Sequence, residues 1–230
     1  MHPELFSIGP FVVHTYGVLV GLGIVLSLFL ATGLAKKTGF PPSKKVFDLF
    51  SVGVLAGFLG ARIFYVAQEW GYYRGHLLEM FEIWEGGLIY YGGVVGTFLG
   101  LVVYARRLRV SLWAVCDFLI PYIALTHAFG RVGCFFAGCC YGKQGIPVQL
   151  FEAVFNFILF GLLSRWYERR RFPGEIFAVY LVLYPAGRFF FEFLRGDQGP
   201  WLFSLTFQQI LSAALVLLGL ALYGISRPRR

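Results

Sequence analysis

Charge is scarce in this 230-residue sequence: Asp, Glu, Lys and Arg make up 14% of it, against 58% hydrophobic residues. A soluble chain has about a quarter of its residues charged, so a water-solvated surface is excluded. The alternation over about ten residues that marks an outer-membrane β-strand is also missing. No Lys or Arg occurs from Met1 to Val13, and no small-x-small cleavage site follows the first apolar run. That run is therefore expected to stay in the protein, not to leave as a signal peptide. Cys-x-x-Cys spacing is absent among the four cysteines, which argues against a dithiol redox enzyme.

What is present in quantity is apolar sequence. About 20 such residues cross the hydrocarbon core as a helix, and seven runs qualify, at about 12–34, 46–68, 86–105, 112–129, 148–164, 174–193 and 205–225. The expectation is an all-α polytopic protein, one integral membrane domain over 1–230 with seven transmembrane helices. A net charge of +8 would point to nucleic acid in a soluble protein; here its distribution speaks against that partner. Lys36, Lys37, Lys44, Lys45, Arg106, Arg107, Arg109, Arg165, Arg169, Arg170, Arg171, Arg227, Arg229 and Arg230 all fall on one side of a seven-span chain. The positive-inside rule then puts the N-terminus outside and the C-terminus in the cytoplasm.

Six basic residues are left without a topological reason: Arg62, Arg74, Arg131, Lys143, Arg188 and Arg195. Arg74 reads as a solvated loop charge among Glu69, Glu79, Glu82 and Glu85. Arg62 ("GARIFY") and Arg188 ("GRFFFEFLRGD") lie in the outer halves of their spans. An arginine within an apolar helix costs ~2.5–3.5 kcal/mol on insertion scales, so it marks a functional site by default. Arg188, Glu192 and Arg195 stand at i, i+4 and i+7, one stripe of a helix, where Glu192 can orient both guanidinia. The bland alternative is a structural ion pair near the interface.

Other polar side chains fall at the same depth: His14 and Tyr16 in span one, Trp84, Glu85, Tyr90 and Tyr91 in span three, His127 and Arg131 leaving span four, Gln149 and Glu152 entering span five. Any one of them has an ordinary structural explanation. Their shared depth points to a common polar cavity in the outer leaflet. Arginines, glycine-rich turns and apolar walls suit an anionic head group with acyl tails, through bidentate guanidinium–phosphate pairing. The glycines of "EGGLIYYGGVVGTFLG" and "GVLVGLG" serve close helix packing or leave room for a lipid.

These residues resemble the prolipoprotein diacylglyceryl transferase family. The likeness runs in order through "TYG", "GARIFYV", "WEGGLIYYGG", "GRVGCFFAGCCYG", "PVQLFEA" and "GRFFFEFLRGD". Family members are seven-helix plasma-membrane enzymes. They transfer the diacylglyceryl group of phosphatidylglycerol to the lipobox cysteine in the signal peptide of a preprolipoprotein. The resemblance implies that Arg131, within a Gly130–Gly133 signature, and Arg188 are catalytic phosphate ligands. It places Tyr16, Arg62, Gly130, Gly133, Cys134, Gln149, Glu152, Glu192 and Arg195 around the substrates, with no cofactor and no metal, in the outer-leaflet half of the membrane. This chain departs from the family twice: Tyr91 stands at the catalytic position where relatives carry a histidine, and Cys134 where they carry asparagine. A phenol of pKa ~10 is a poor base at neutral pH. A non-catalytic lipid-binding relative, and a transporter of lipids or small anions, are the alternatives.

The cysteines of "GRVGCFFAGCCYGK" fit no metal template. Zinc sites favour Cys-x2–4-Cys with a second pair of ligands, whereas Cys134-x4-Cys139-Cys140 is irregular. A disulfide stapling an outer loop and simple packing of small thiols both stay open. Cys116, inside span four, reads as packing.

Overall fold

The computed structural model describes residues 4–8, 11–82, 86–202 and 204–227. Trp84 and Glu85, counted above among the polar side chains at the outer depth, lie outside those residues. Among the described residues the named elements are helices apart from an N-terminal hairpin, β1 (Glu4–Ile8) paired antiparallel with β2 (Phe11–His14). The hairpin takes the residues where the first span was expected to begin. Phe11, Val12 and Val13 are β-branched or aromatic and favour a strand, so helix α1 starts only at Thr15 and runs to Thr38.

Next come α2 (Val46–Gln68), a single-turn α3 (Trp70–Tyr73), α4 (Tyr90–Leu108), α5 (Leu112–Ala137), α6 (Val148–Tyr167), α7 (Glu175–Leu194) and α8 (Phe207–Ser226). Six of these, α1, α2, α5, α6, α7 and α8, are long and apolar enough to cross a membrane. The protein is multi-pass. The expected span at about 86–105 is a helix, but Tyr90, Tyr91, four glycines, Arg106 and Arg107 leave α4 too polar to join the six. The end of the fourth expected span is also corrected. It does not stop at 129 before a loop: α5 continues through "GRVGCFFA" to Ala137.

The helices cluster into two compact units, one of residues 1–38 and 116–230, the other of residues 39–115. In the first, α5 is the most buried helix, with Phe118, Ala124, Leu125 and Ala128 excluded from solvent. Ser27 of α1 donates to the Tyr122 carbonyl at 3.2 Å. The rings of Tyr122 and Phe160, and of Phe129 and Phe157, pack α5 on α6. Asp117, fully buried, caps α7 from a distance: its carboxylate accepts from the N–H groups of Gly174 at 2.7 Å and Phe177 at 2.9 Å. Those are orphan donors that every helix N-terminus must satisfy.

Ion pairs fix the polarity of this unit. Lys37 at the end of α1 meets Glu168 just after α6 at 2.7 Å. Lys36, Lys37, Arg165 and Arg169–Arg171 thus crowd one end of the bundle. The starts of α1 and α6 and the end of α7 lie at the other.

In the second unit α2 and α4 touch backbone to backbone. A Cβ on Gly60 would sit 2.7 Å from the Gly96 Cα, and Thr97 donates to the Gly53 carbonyl at 3.0 Å. Small residues that let apolar helices approach this closely are the usual glue between spans. Here the glycines of "YYGGVVGTFLG" serve packing.

Candidate active site

The carboxylate of Glu152, in the first turns of α6, is the hub of the first unit's polar end. Its Oε2 meets Arg131 Nε at 2.7 Å, and its Oε1 accepts from Arg188 Nη1 at 3.1 Å. Arg131 comes from the last turns of α5 and Arg188 from the last turns of α7. Alternating helix direction delivers all three to one end. Arg188 Nη1 also lies 2.6 Å from Glu192 Oε2, one turn along α7. Glu192 in turn approaches Arg195 at 3.8 Å and accepts from Thr206 Oγ1 at 2.9 Å. Arg195 closes the row on Asp197, its Nε donating to Oδ1 at 2.8 Å. Arg188 and Glu192 thus pair along α7 as the spacing indicated, whereas Arg195, expected on the same helical stripe, follows the helix in extended backbone and approaches Glu192 from there.

The energetics follow from burial. Arg131 is 12% exposed in its side chain, Arg188 7% and Glu152 4%. An unpaired charge at such depth costs several kcal/mol. Three guanidinia against the carboxylates of Glu152, Glu192 and Asp197 make the row formally neutral. A guanidinium carries five N–H donors, and Glu152 meets that of Arg131 at Nε. The Nη pair of a guanidinium is the fork that recognises a phosphate bidentately. Outside the spans, burial works to raise the Asp197 carboxyl, but the hydrogen bonds from Arg195 outweigh it and hold it below the ordinary carboxylate value.

Tyr16 opens α1 beside this row. A Cβ on Gly133 would meet the Tyr16 Cα at 3.2 Å; the glycine lets α5 carry Arg131 past the start of α1. Gly130 faces Val20 with ordinary room. Just beyond α5, Gln149 Nε2 donates to the Cys139 carbonyl at 2.8 Å, and Gly196 N–H donates to the Tyr141 carbonyl at 3.0 Å. The cysteine turn is tied to α6 and to the end of α7. All four cysteines are free thiols. The hydrogen bond from the Cys134 thiol pulls the Cys140 thiol below its ordinary value against the effect of burial, and Arg195 and Arg131 act in the same direction.

Of the residues read from sequence, Tyr16, Gly130, Arg131, Gly133, Cys134, Gln149, Glu152, Arg188, Glu192 and Arg195 come together in this first unit. Arg62 and Tyr91 belong to the second. The nitrogens of Arg62 donate to the carbonyls of Met80 (2.9 Å), Gly86 (2.7 Å), Gly87 (3.2 Å), Glu79 (2.8 Å) and Glu82 (3.2 Å). The rings of Tyr65 and Tyr73 flank its guanidinium. This intramembrane arginine organises the loop before α4 through backbone carbonyls. Tyr91 is part-exposed in the first turn of α4, its ring edge-on to Tyr90 at 5.6 Å. His127, on the buried side of the arginine row, contacts Tyr184 Oη at 3.4 Å, while His14 ends β2.

Thr206 and Asp197 escaped the sequence reading. Thr206 had a signal: with Gln209 it forms a capping box at the start of α8, a pattern legible as Thr-x-x-Gln. Asp197 stands in the quoted "RGD" two residues after Arg195, too close for helical spacing to pair them.

The family model described as prolipoprotein diacylglyceryl transferase matches residues 3–225 of the chain. A phosphatidylglycerol–prolipoprotein diacylglyceryl transferase of Clostridium tetani is 29% identical, over the full length of both chains. Proteins of the same name from Geobacillus kaustophilus (33% identical; 96% of this chain, 91% of the relative) and Symbiobacterium thermophilum (32%; 96% and 91%) are similar throughout.

Proposed function

The chain belongs to the prolipoprotein diacylglyceryl transferase family, and from that premise we propose that it transfers the diacylglyceryl group of phosphatidylglycerol to the lipobox cysteine of a preprolipoprotein signal peptide. A thioether forms and glycerol phosphate leaves. This is the first step of lipoprotein maturation. The observation that carries the reading is the bridge Arg131–Glu152–Arg188, two nearly buried guanidinia fixed by one carboxylate.

The thiolate sulfur attacks the glyceryl carbon that bears the phosphate ester, the C–O bond breaks, and its electron pair departs with glycerol phosphate. Charge grows on the leaving phosphate, where Arg131 and Arg188 meet it. Pre-oriented donors aimed at developing charge are commonly the largest contribution to catalysis. A free thiol has pKa ~8.5, so its thiolate at pH 7 costs only ~2 kcal/mol. Tyr91 is a weak substitute for a histidine base, and the reaction proceeds without a strong one. Exposed Phe190, Phe193 and Leu194 beside the arginines offer the acyl chains an apolar wall.

We place the protein in the bacterial plasma membrane as one integral domain of seven spans, α4 being the seventh, with the N-terminus outside. Support comes from charge: the basic ends of α1 and α6 mark the cytoplasmic side, and the Arg131 row sits at the opposite end of the same bundle. The active site then opens in the outer leaflet, where signal peptides emerge.

Purified protein in phosphatidylglycerol vesicles should release glycerol phosphate only when a lipobox peptide with an intact cysteine is added. Lipid crossing the bilayer without any thioether product would instead identify a transporter.

A further inference from the structure

Irregular spacing argued against a metal at the cysteines, yet the fold removes that objection. The sulfurs of Cys134, Cys139 and Cys140 lie within 4.8 Å of one another. Cys134 sits in the last turn of α5, and the chain turns back on it at once. The Cys139 N–H donates to the Cys134 carbonyl at 3.2 Å. Gly138 and Cys140 both adopt left-handed backbone, at φ 75° and 59°. Adjacent side chains ordinarily diverge; these two left-handed residues swing both neighbouring thiols toward Cys134. Left-handed backbone at a residue other than glycine costs of order 1–3 kcal/mol and gathers at functional sites.

Three convergent thiols are a ligand set for a soft d10 ion. Thiolate selects zinc and its heavier relatives over hard cations. A fourth ligand would close a structural zinc site, whereas a catalytic one keeps three protein ligands and an open position. Among the described residues, no fourth Cys, His, Asp or Glu joins the cluster. Cys139 is exposed, so the open side is reachable. Arg131 and Arg195 lie within electrostatic reach of the sulfurs and would balance the negative charge of thiolates around a divalent ion.

We propose that Cys134, Cys139 and Cys140 bind a zinc-class ion whose open position takes the thiol of the incoming lipobox cysteine. The proposal rests on the transferase reading above. On binding, the substrate thiol gives its proton to water and becomes metal-bound thiolate, because a coordinated thiol is deprotonated. Its sulfur then attacks the glyceryl carbon as the bond to the phosphate oxygen breaks; nothing is oxidised or reduced. Such a site replaces the base that Tyr91 supplies poorly, and Arg131 spans both halves of the chemistry.

The experiment uses the full-length protein, purified reduced in detergent and titrated with zinc or cadmium. One ion per chain is expected, with a sulfur-to-cadmium charge-transfer band that is lost in C134S, C139S and C140S. Each variant should bind at least tenfold more weakly. Adding a lipobox peptide should raise the band by about a third, as three sulfur ligands become four; a Cys→Ser peptide should leave it unchanged. Zinc-loaded protein should also outpace the metal-free form in thioether formation. Absence of binding, or two thiols lost to a disulfide, overturns the proposal. So does a bound ion whose band ignores the peptide, or equal transfer by metal-free and loaded protein. If the ion and the peptide-dependent band are present but neither form makes thioether, the transferase reading is what fails.

Discussion

Arg131→Ala and Arg188→Ala should each lower lipidation of a lipobox substrate by at least about 10²–10³-fold, the loss on removing one pre-oriented charge-stabilising donor. The reason is specific to the geometry. Glu152 meets Arg131 at Nε, 2.7 Å away, and in the proposed reaction the Nη fork is the part of the guanidinium that meets the phosphate. Arg131→Lys should recover little, because an ammonium is a point charge without the planar fork. Initial rates of thioether formation in membranes, corrected for the amount of inserted protein, measure this. Full activity in both alanine variants would sink the assignment of the phosphate site.

The second large effect concerns stability as much as rate. Glu152→Gln keeps the shape of the hub but removes its charge, leaving Arg188 with Glu192 alone and taking from the nearly buried Arg131 the carboxylate that meets its Nε. Removing one partner of a buried pair costs about 3–5 kcal/mol, because the remaining charge is uncompensated. Thermal unfolding in detergent should fall sharply. The double variant Arg131→Ala, Glu152→Gln should be less destabilised than the sum of the singles, since the coupled charges leave together. Strict additivity would mean that the bridge carries no coupling energy. Glu152 stood out in the sequence as a polar residue at the start of a span; that it joins two arginines did not. Its partner Arg188 lies 36 positions along the chain, and only the antiparallel run of α6 and α7 brings them face to face.

The same contrast runs through the rest of the molecule. The apolar runs at 46–68 and 174–193 nearly coincide with α2 and α7, because length and composition suffice to define a span. The end of α5 was hidden by its glycines, each unfavourable in a helix by about 1 kcal/mol. Tertiary packing prevails there: Gly133 is the surface against which Tyr16 fits. Arg62 was visible as an unusual intramembrane charge, but the carbonyls that surround it come from a loop whose path no periodicity encodes. The pair Arg188–Glu192 was readable because both lie one turn apart on one helix; Arg195 follows that helix in extended backbone and reaches Glu192 from there. The cysteines were misleading in one dimension, since two left-handed residues decide where the sulfurs meet.

The most direct test is the mass of the lipobox cysteine in cells that lack their own transferase and express this chain. The account predicts a cysteine carrying one diacylglyceryl group on sulfur, absent when Arg131→Ala replaces the wild type at equal membrane abundance. An unmodified cysteine, with the wild-type chain correctly inserted in the membrane, would contradict it.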